Sequence, residues 1–156
     1  MTDRIQSLID AGRLERDPAQ DAEIAGLWHR ALEAMGDAAI AGASVSGRLI
    51  RADDAGRLAA FAIVRSSGLR VRASNHHEIV IGVAGMVGGA TLTEALDDFD
   101  RFRKLRNHLE YGWEDRATNA DVVQALAAVR RILEEGARGL VAQRPTLAGR
   151  VEPPPP

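Results

Sequence analysis

"TLTEALDDFDRFRKLRNHLEYGW", residues 91–113, decides the fold, because its apolar residues recur at helical spacing. At about 100° per residue, with Phe99 as zero, Leu96 falls near 60°, Phe102 near -60°, Leu109 near -80°, Leu105 near -120° and Trp113 near -40°. That arc is a buried stripe, and Thr91 with Glu94 has the spacing of a capping box that would open the helix. Arg101, Lys104 and His108 fall between about 140° and 200°, opposite the stripe, as solvent-facing charges. Arg106 lies inside the arc at about -20°, with Glu110 near 20° and Arg103 near 40°. A guanidinium there requires a partner, since breaking a buried ion pair costs about 3–5 kcal/mol. Glu110, one turn on, is the nearest in sequence. Two readings stay open: a structural Arg106–Glu110 bridge, or a cleft or dimer seam where Arg106, Asn107, Glu110 and Tyr111 meet a phosphate or a partner.

Helical spacing continues on both sides. Met1 to Asp10 reads as a polar helix. Asp17-Pro18, with Gln20 behind, supplies an N-cap, a proline at the first helical position and an N3 partner. Ile24, Leu27, Trp28, Ala31, Leu32 and Met35 then keep the i, i+3, i+4, i+7 rule to about Ala41, and Gly42 to Gly47 breaks the run. A further helix is expected from about Arg51, with Leu58, Phe61, Ala62 and Val64 inward, ending at Gly68. Asn75 with Glu78 caps a short helix that Gly88-Gly89 closes, and a strand at Ile79 to Val83 is its competitor. Thr118 caps a last helix striped by Val122, Leu126, Val129 and Leu133 that fades near Gly139. The expected fold is all-α, an antiparallel bundle of about five helices in one domain, residues 1–143. Residues 144–156, ending in four prolines, read as an extended, disordered tail.

Composition narrows the function classes. A chain of 156 residues without cysteine can bury a core unaided and has no thiolate chemistry. A formal net charge of -2 argues against a generic nucleic-acid-coating protein but leaves room for a local basic patch. No run approaches the length of an apolar membrane span and no signal segment is evident, so a soluble cytoplasmic protein is expected, with no membrane association. The glycines of "GVAGMVGG", 82–89, lack the following Gly-Lys-Ser/Thr of a phosphate-binding loop. His76 and His77 are neighbours on a helix and point about 100° apart, so they do not converge on one ion. No metal site and no cofactor are expected.

Three segments carry a resemblance over roughly residues 3–142: "LIDAGRLERDPAQDAEIAGLWHRALEAM", "DAGRLAAFAIVRSSGLRVRASNHHEIV" and "FRKLRNHLEYG". With this helix order the chain resembles the HEPN superfamily, small helical bundles associated with RNA cleavage, toxin–antitoxin pairs and antiviral defence. The last segment stands where HEPN proteins carry an Arg-x4-6-His motif, often beginning Arg-Asn. The resemblance implies a HEPN-like bundle, a homodimer, and metal-independent RNA cleavage in which arginine and histidine position the scissile phosphate and help activate the ribose 2'-hydroxyl. Arg106-Asn107 matches the motif start, and Tyr111 then occupies the histidine position. A phenol with a reference pKa of about 10 is a poor general base at neutral pH. Arg103-x4-His108 and Arg101-x6-His108 are other registers, both with His108 opposite the apolar arc.

The resemblance thus implies catalytic roles for Arg106 and for Tyr111 or His108, and RNA or nucleotide contacts from Arg103, Asn107 and Glu110. The contrasting expectation is a non-catalytic interaction module, its Arg106–Glu110 pair structural, working with a partner such as a nucleotidyltransferase or an antitoxin.

Overall fold

The computed structural model describes the backbone of residues 2–72, 76–111 and 117–156, and the side chains of residues 3–72, 76–105 and 117–156. Among them are six α-helices: α1 (Thr2–Asp10), α2 (Asp21–Ala38), α3 (Val45–Ser66), α4 (His76–Gly88), α5 (Ala90–Tyr111) and α6 (Asn119–Gln143). The chain is predominantly α-helical, as its periodicity predicts. The centre is α3, which packs against α2, α4, α5 and α6. Ala52, Ala55, Ala59, Ala60 and Ala62 are all buried, and side chains this small let neighbouring helices approach closely. Gly56 belongs to the same series, since a Cβ there would overlap the Phe99 ring of α5. Ile63 and Leu92 line one cavity a little farther along, so α3 and α5 run antiparallel. Among the described residues no helix is long and apolar enough to cross a membrane.

Several helix ends follow from local chemistry. Thr118 and Asp121 form a reciprocal capping box, the Thr118 amide donating to Asp121 Oδ2 at 2.8 Å and thereby satisfying a backbone donor at the helix start. Gly68 takes φ +69° after α3 and Gly89 takes φ +85° between α4 and α5, conformations that favour glycine over any residue with a Cβ. The segment Ile79 to Val83 is helical, so the competing strand is not formed. Asn75 lies outside the described residues.

Other boundaries differ from the expectation. Gln20, without a side-chain cap, precedes α2. Asp17 does not cap it, because its carboxylate is engaged by Arg65 and Arg70. The third helix begins at Val45, not near Arg51, because Ser44 accepts from the Gly47 amide at 3.1 Å. Helix α5 starts at Ala90, ahead of Thr91, since the single residue Gly89 suffices to turn the chain out of α4.

A two-stranded antiparallel ribbon was not foreseen. Its strands β1 (Leu14–Arg16) and β2 (Leu69–Val71) pair Leu14 with Val71 and Arg16 with Leu69. Leu14, Leu69 and Val71 are buried, so the ribbon covers one end of the core.

The C-terminal segment also packs, contrary to the expected free tail. A 3-10 turn at Pro145–Leu147 follows α6. Leu147 and Val151 are buried in the core, and Trp28 donates its indole N–H to the Glu152 carbonyl at 2.8 Å. The indole is fully buried and needs an acceptor, which the segment provides.

Candidate functional site

The helical phases of α5 hold where its side chains are described. Leu96 and Phe99 are buried, Phe102 and Leu105 are half-buried, and the side chains of Arg101 and Lys104 are 72% and 71% exposed. Arg103, which the wheel sets at the edge of the apolar arc, is only 13% exposed.

Arg103 borders a cleft of about 300 Å³ between α4 and α5, walled by Glu78, Ile81 and Gly82 on one side and Asp97, Asp100 and Lys104 on the other. A second hollow of about 280 Å³ continues it toward Arg4 of α1, sharing Ile81, Gly82 and Asp97. Gly82 widens the cleft, since a Cβ there would meet no atom within 4 Å. The corner between the two helices is tied by Thr93, whose hydroxyl donates to the carbonyls of Gly85 and Gly89 at 3.1 and 2.9 Å.

The electrostatics of the cleft centre on Asp100. It accepts from Arg103 Nε at 2.6 Å, and Lys104 Nζ lies 3.4 Å from its second oxygen. Burial pushes the Asp100 carboxyl up, but hydrogen bonds and charge from Arg103 and Lys104 outweigh it and hold the group below the usual aspartate range. Asp100 therefore stays ionised and fixes Arg103 in place. Arg103 Nη2 lies 3.7 Å from Glu78 Oε1, a long ion pair that spans the cleft, and a guanidinium presents a planar fork of donors. Such a fork suits a phosphate. The three carboxylates at Glu78, Asp97 and Asp100 balance Arg103, Lys104 and Arg4, so the cleft as a whole carries no net positive charge.

Of the six candidate site residues read from the sequence, Arg103, Arg106, Asn107, His108, Glu110 and Tyr111, Arg103 is the one whose side chain is described. Arg106, Asn107, His108, Glu110 and Tyr111 belong to the last turns of α5, and their side chains lie outside the described residues. The His76 and His77 rings are 5.9 Å apart and edge-on, with His76 also 5.6 Å from Phe61. Among the described residues no group of three or more side chains is arranged to hold a metal ion.

Three polar residues escaped the sequence reading. Glu78, read as a capping acid, faces the cleft. Asp100 could have been found from its i, i+3 spacing to Arg103. Asp53, 4% exposed, lies one turn before Gly56 on the face of α3 that packs on α5, a position that local periodicity would fill with an apolar residue. No protein-family model, curated protein or solved structure matches the chain.

Proposed function

We propose that this chain is a HEPN-type protein of a toxin–antitoxin, defence or RNA-related system, and that it contacts RNA or a nucleotide through the C-terminal half of α5. Arg103, Asn107 and Glu110 form the contact surface, Arg106 grips the phosphate, and Tyr111 or His108 stands beside the ribose. The observation that carries this reading is Arg103, held by Asp100 at 2.6 Å beside the cleft between α4 and α5. A prearranged guanidinium at the mouth of a cleft, one turn before Arg106-Asn107, supports phosphate recognition with little ordering cost. Cleavage would need a base near neutral pH, and the phenol at position 111 supplies a poor one. The reading therefore expects binding with weak or no cleavage. The HEPN resemblance adds a homodimer and a partner such as an antitoxin or nucleotidyltransferase. Fluorescence titration of single-stranded RNA at low salt tests the proposal: wild type binds, and Arg106→Ala loses most of that binding with its melting midpoint unchanged.

A second reading is favoured by Asp53. Under it the chain is a non-catalytic helical module, and Arg106 is a structural cation paired with Glu110 or with the buried carboxylate of Asp53. The antiparallel register that sets Gly56 against Phe99 continues from Asp53 toward the last turns of α5, and side chains on each helix lean toward its own N-terminus. Here Arg106→Ala lowers the midpoint by several degrees, because a buried acid loses its counter-charge.

A further inference from the structure

We propose that the groove between α2 and α6 is a docking site for proline-rich strands in the polyproline-II conformation, occupied in the resting chain by residues 151–156. Val151 closes the turn that follows α6, its buried side chain facing the core and its amide donating to the Leu147 carbonyl at 3.0 Å; beyond it Pro154 is buried, while Glu152, Pro153, Pro155 and Pro156 are exposed. Polyproline II has three residues per turn, so one edge of the strand faces the bundle.

The polar contacts keep the same period. Trp28 Nε1 donates to the Glu152 carbonyl at 2.8 Å, and Arg130 Nη1 donates to the Pro155 carbonyl at 2.9 Å. A polyproline strand makes no internal hydrogen bonds and offers its carbonyls to whatever lies beside it. Reading two of them, three residues apart, with an indole and a guanidinium recognises backbone conformation before side-chain identity.

The site is built into the core. The Trp28 ring lies against Gly136, where a Cβ would sit 2.7 Å from Trp28 Cη2 and 3.2 Å from Ile63 Cδ1. The indole is thereby fixed with its N–H toward the groove. Room remains beside the strand: a hollow of about 340 Å³ adjoins Val151 and Pro153 and is walled by Ala137, Arg138 and Val141. The fitting partner is thus an extended proline-rich segment with an aliphatic residue three positions before a buried proline, and a bulkier residue is tolerated between them.

A tethered strand has an effective concentration of the order of millimolar, so a strand in trans competes once the resident one is disengaged. The test uses the full chain carrying Val151→Asp and Pro154→Asp, titrated with a labelled peptide of residues 147–156. The variant is expected to bind the peptide at least tenfold more tightly than wild type does. Adding Arg130→Ala weakens that binding severalfold, and a peptide with the same two aspartates does not bind. A folded variant with no affinity for the peptide, or with equal affinity for the aspartate peptide, overturns the proposal. A second measurement on wild type stands independently of the variant's folding: hydrogen exchange at the Trp28 indole. A detachable strand releases that proton faster than the core amides of α3, whereas exchange only on global unfolding makes the segment an integral part of the fold and refutes its role as a replaceable ligand.

Discussion

Replacing Arg65 with methionine removes the most densely bonded side chain described in the bundle. Arg65 is 1% exposed and joins three segments. Its Nε and Nη2 hold Glu23 of α2 at 2.6 and 3.2 Å, and its Nη1 donates to the carbonyls of Asp17 and Leu69 at 2.8 and 3.0 Å. Methionine keeps much of the apolar stem and none of the donors. The buried Leu69 carbonyl then loses its side-chain partner, which costs about 1–3 kcal/mol. Glu23, with its side chain 39% exposed, is rehydrated, so its pair counts as a surface one of at most about 1 kcal/mol. The sum is about 3 kcal/mol, or about 6–12 °C in the melting midpoint of a chain this long. Circular dichroism at 222 nm reads it directly. The acid limb gives an independent check. Hydrogen bonding from Arg65, outweighing burial, holds Glu23 below its usual range, and a hydrogen bond from Arg70 with the charges of both arginines does the same for Asp17. Because these folded-state values are depressed, their stabilisation is complete above the unfolded carboxylate range near pH 4 and is lost as pH falls through the folded values. In Arg65→Met that acid-dependent loss shrinks. A variant within about 1 kcal/mol of wild type, with an unchanged acid limb, would show that Arg65 does not clamp the ribbon and α2 to α3.

Three further outcomes follow from particular contacts. Gly136→Ala lowers stability by about 1–3 kcal/mol by driving a Cβ into Trp28, whereas Gly139→Ala, with no atom within 4 Å of the new Cβ, raises it by about 0.5–1 kcal/mol; urea denaturation of the two variants compares them. Arg103→Gln reduces RNA affinity and flattens the slope of log affinity against log salt by about one unit, as loss of one phosphate contact should; an unchanged slope in the anisotropy titration removes Arg103 from the contact surface. A thermodynamic cycle of Asp53→Asn and Arg106→Ala tests one form of the structural reading: coupling above about 1 kcal/mol identifies Asp53 as the partner of Arg106, and additivity removes Asp53 from that role.

What the sequence disclosed was local. The stripe from Ile24 to Met35, the stop at Gly68, the cap at Thr118 and the outward Arg101 and Lys104 all follow from residues within one or two helical turns of each other. What it withheld depends on partners far apart in the chain. Leu14 pairs with Val71 in strands of only three residues, too short for an alternating pattern to register. Arg65 finds Glu23 across 42 positions and Trp28 finds Glu152 across 124, and no local spacing encodes either meeting. Asp17 was misread for the same reason, since a capping residue and the acceptor of a distant arginine look alike in sequence. At the candidate site, the phase of Arg103 was legible because it depends on α5 alone. The opposing Glu78 was not, because its role is set by how α4 packs on α5.

The RNA-contact proposal meets its most direct test in one paired measurement: titration of a fluorescent single-stranded RNA at low salt with wild type and Arg106→Ala, each accompanied by its melting curve. The proposal predicts binding by wild type, at least a tenfold loss in the variant and midpoints that agree within about 2 °C, which for a chain of this size is under about 1 kcal/mol. Absence of binding by wild type, or a variant that keeps its affinity while melting several degrees earlier, contradicts it.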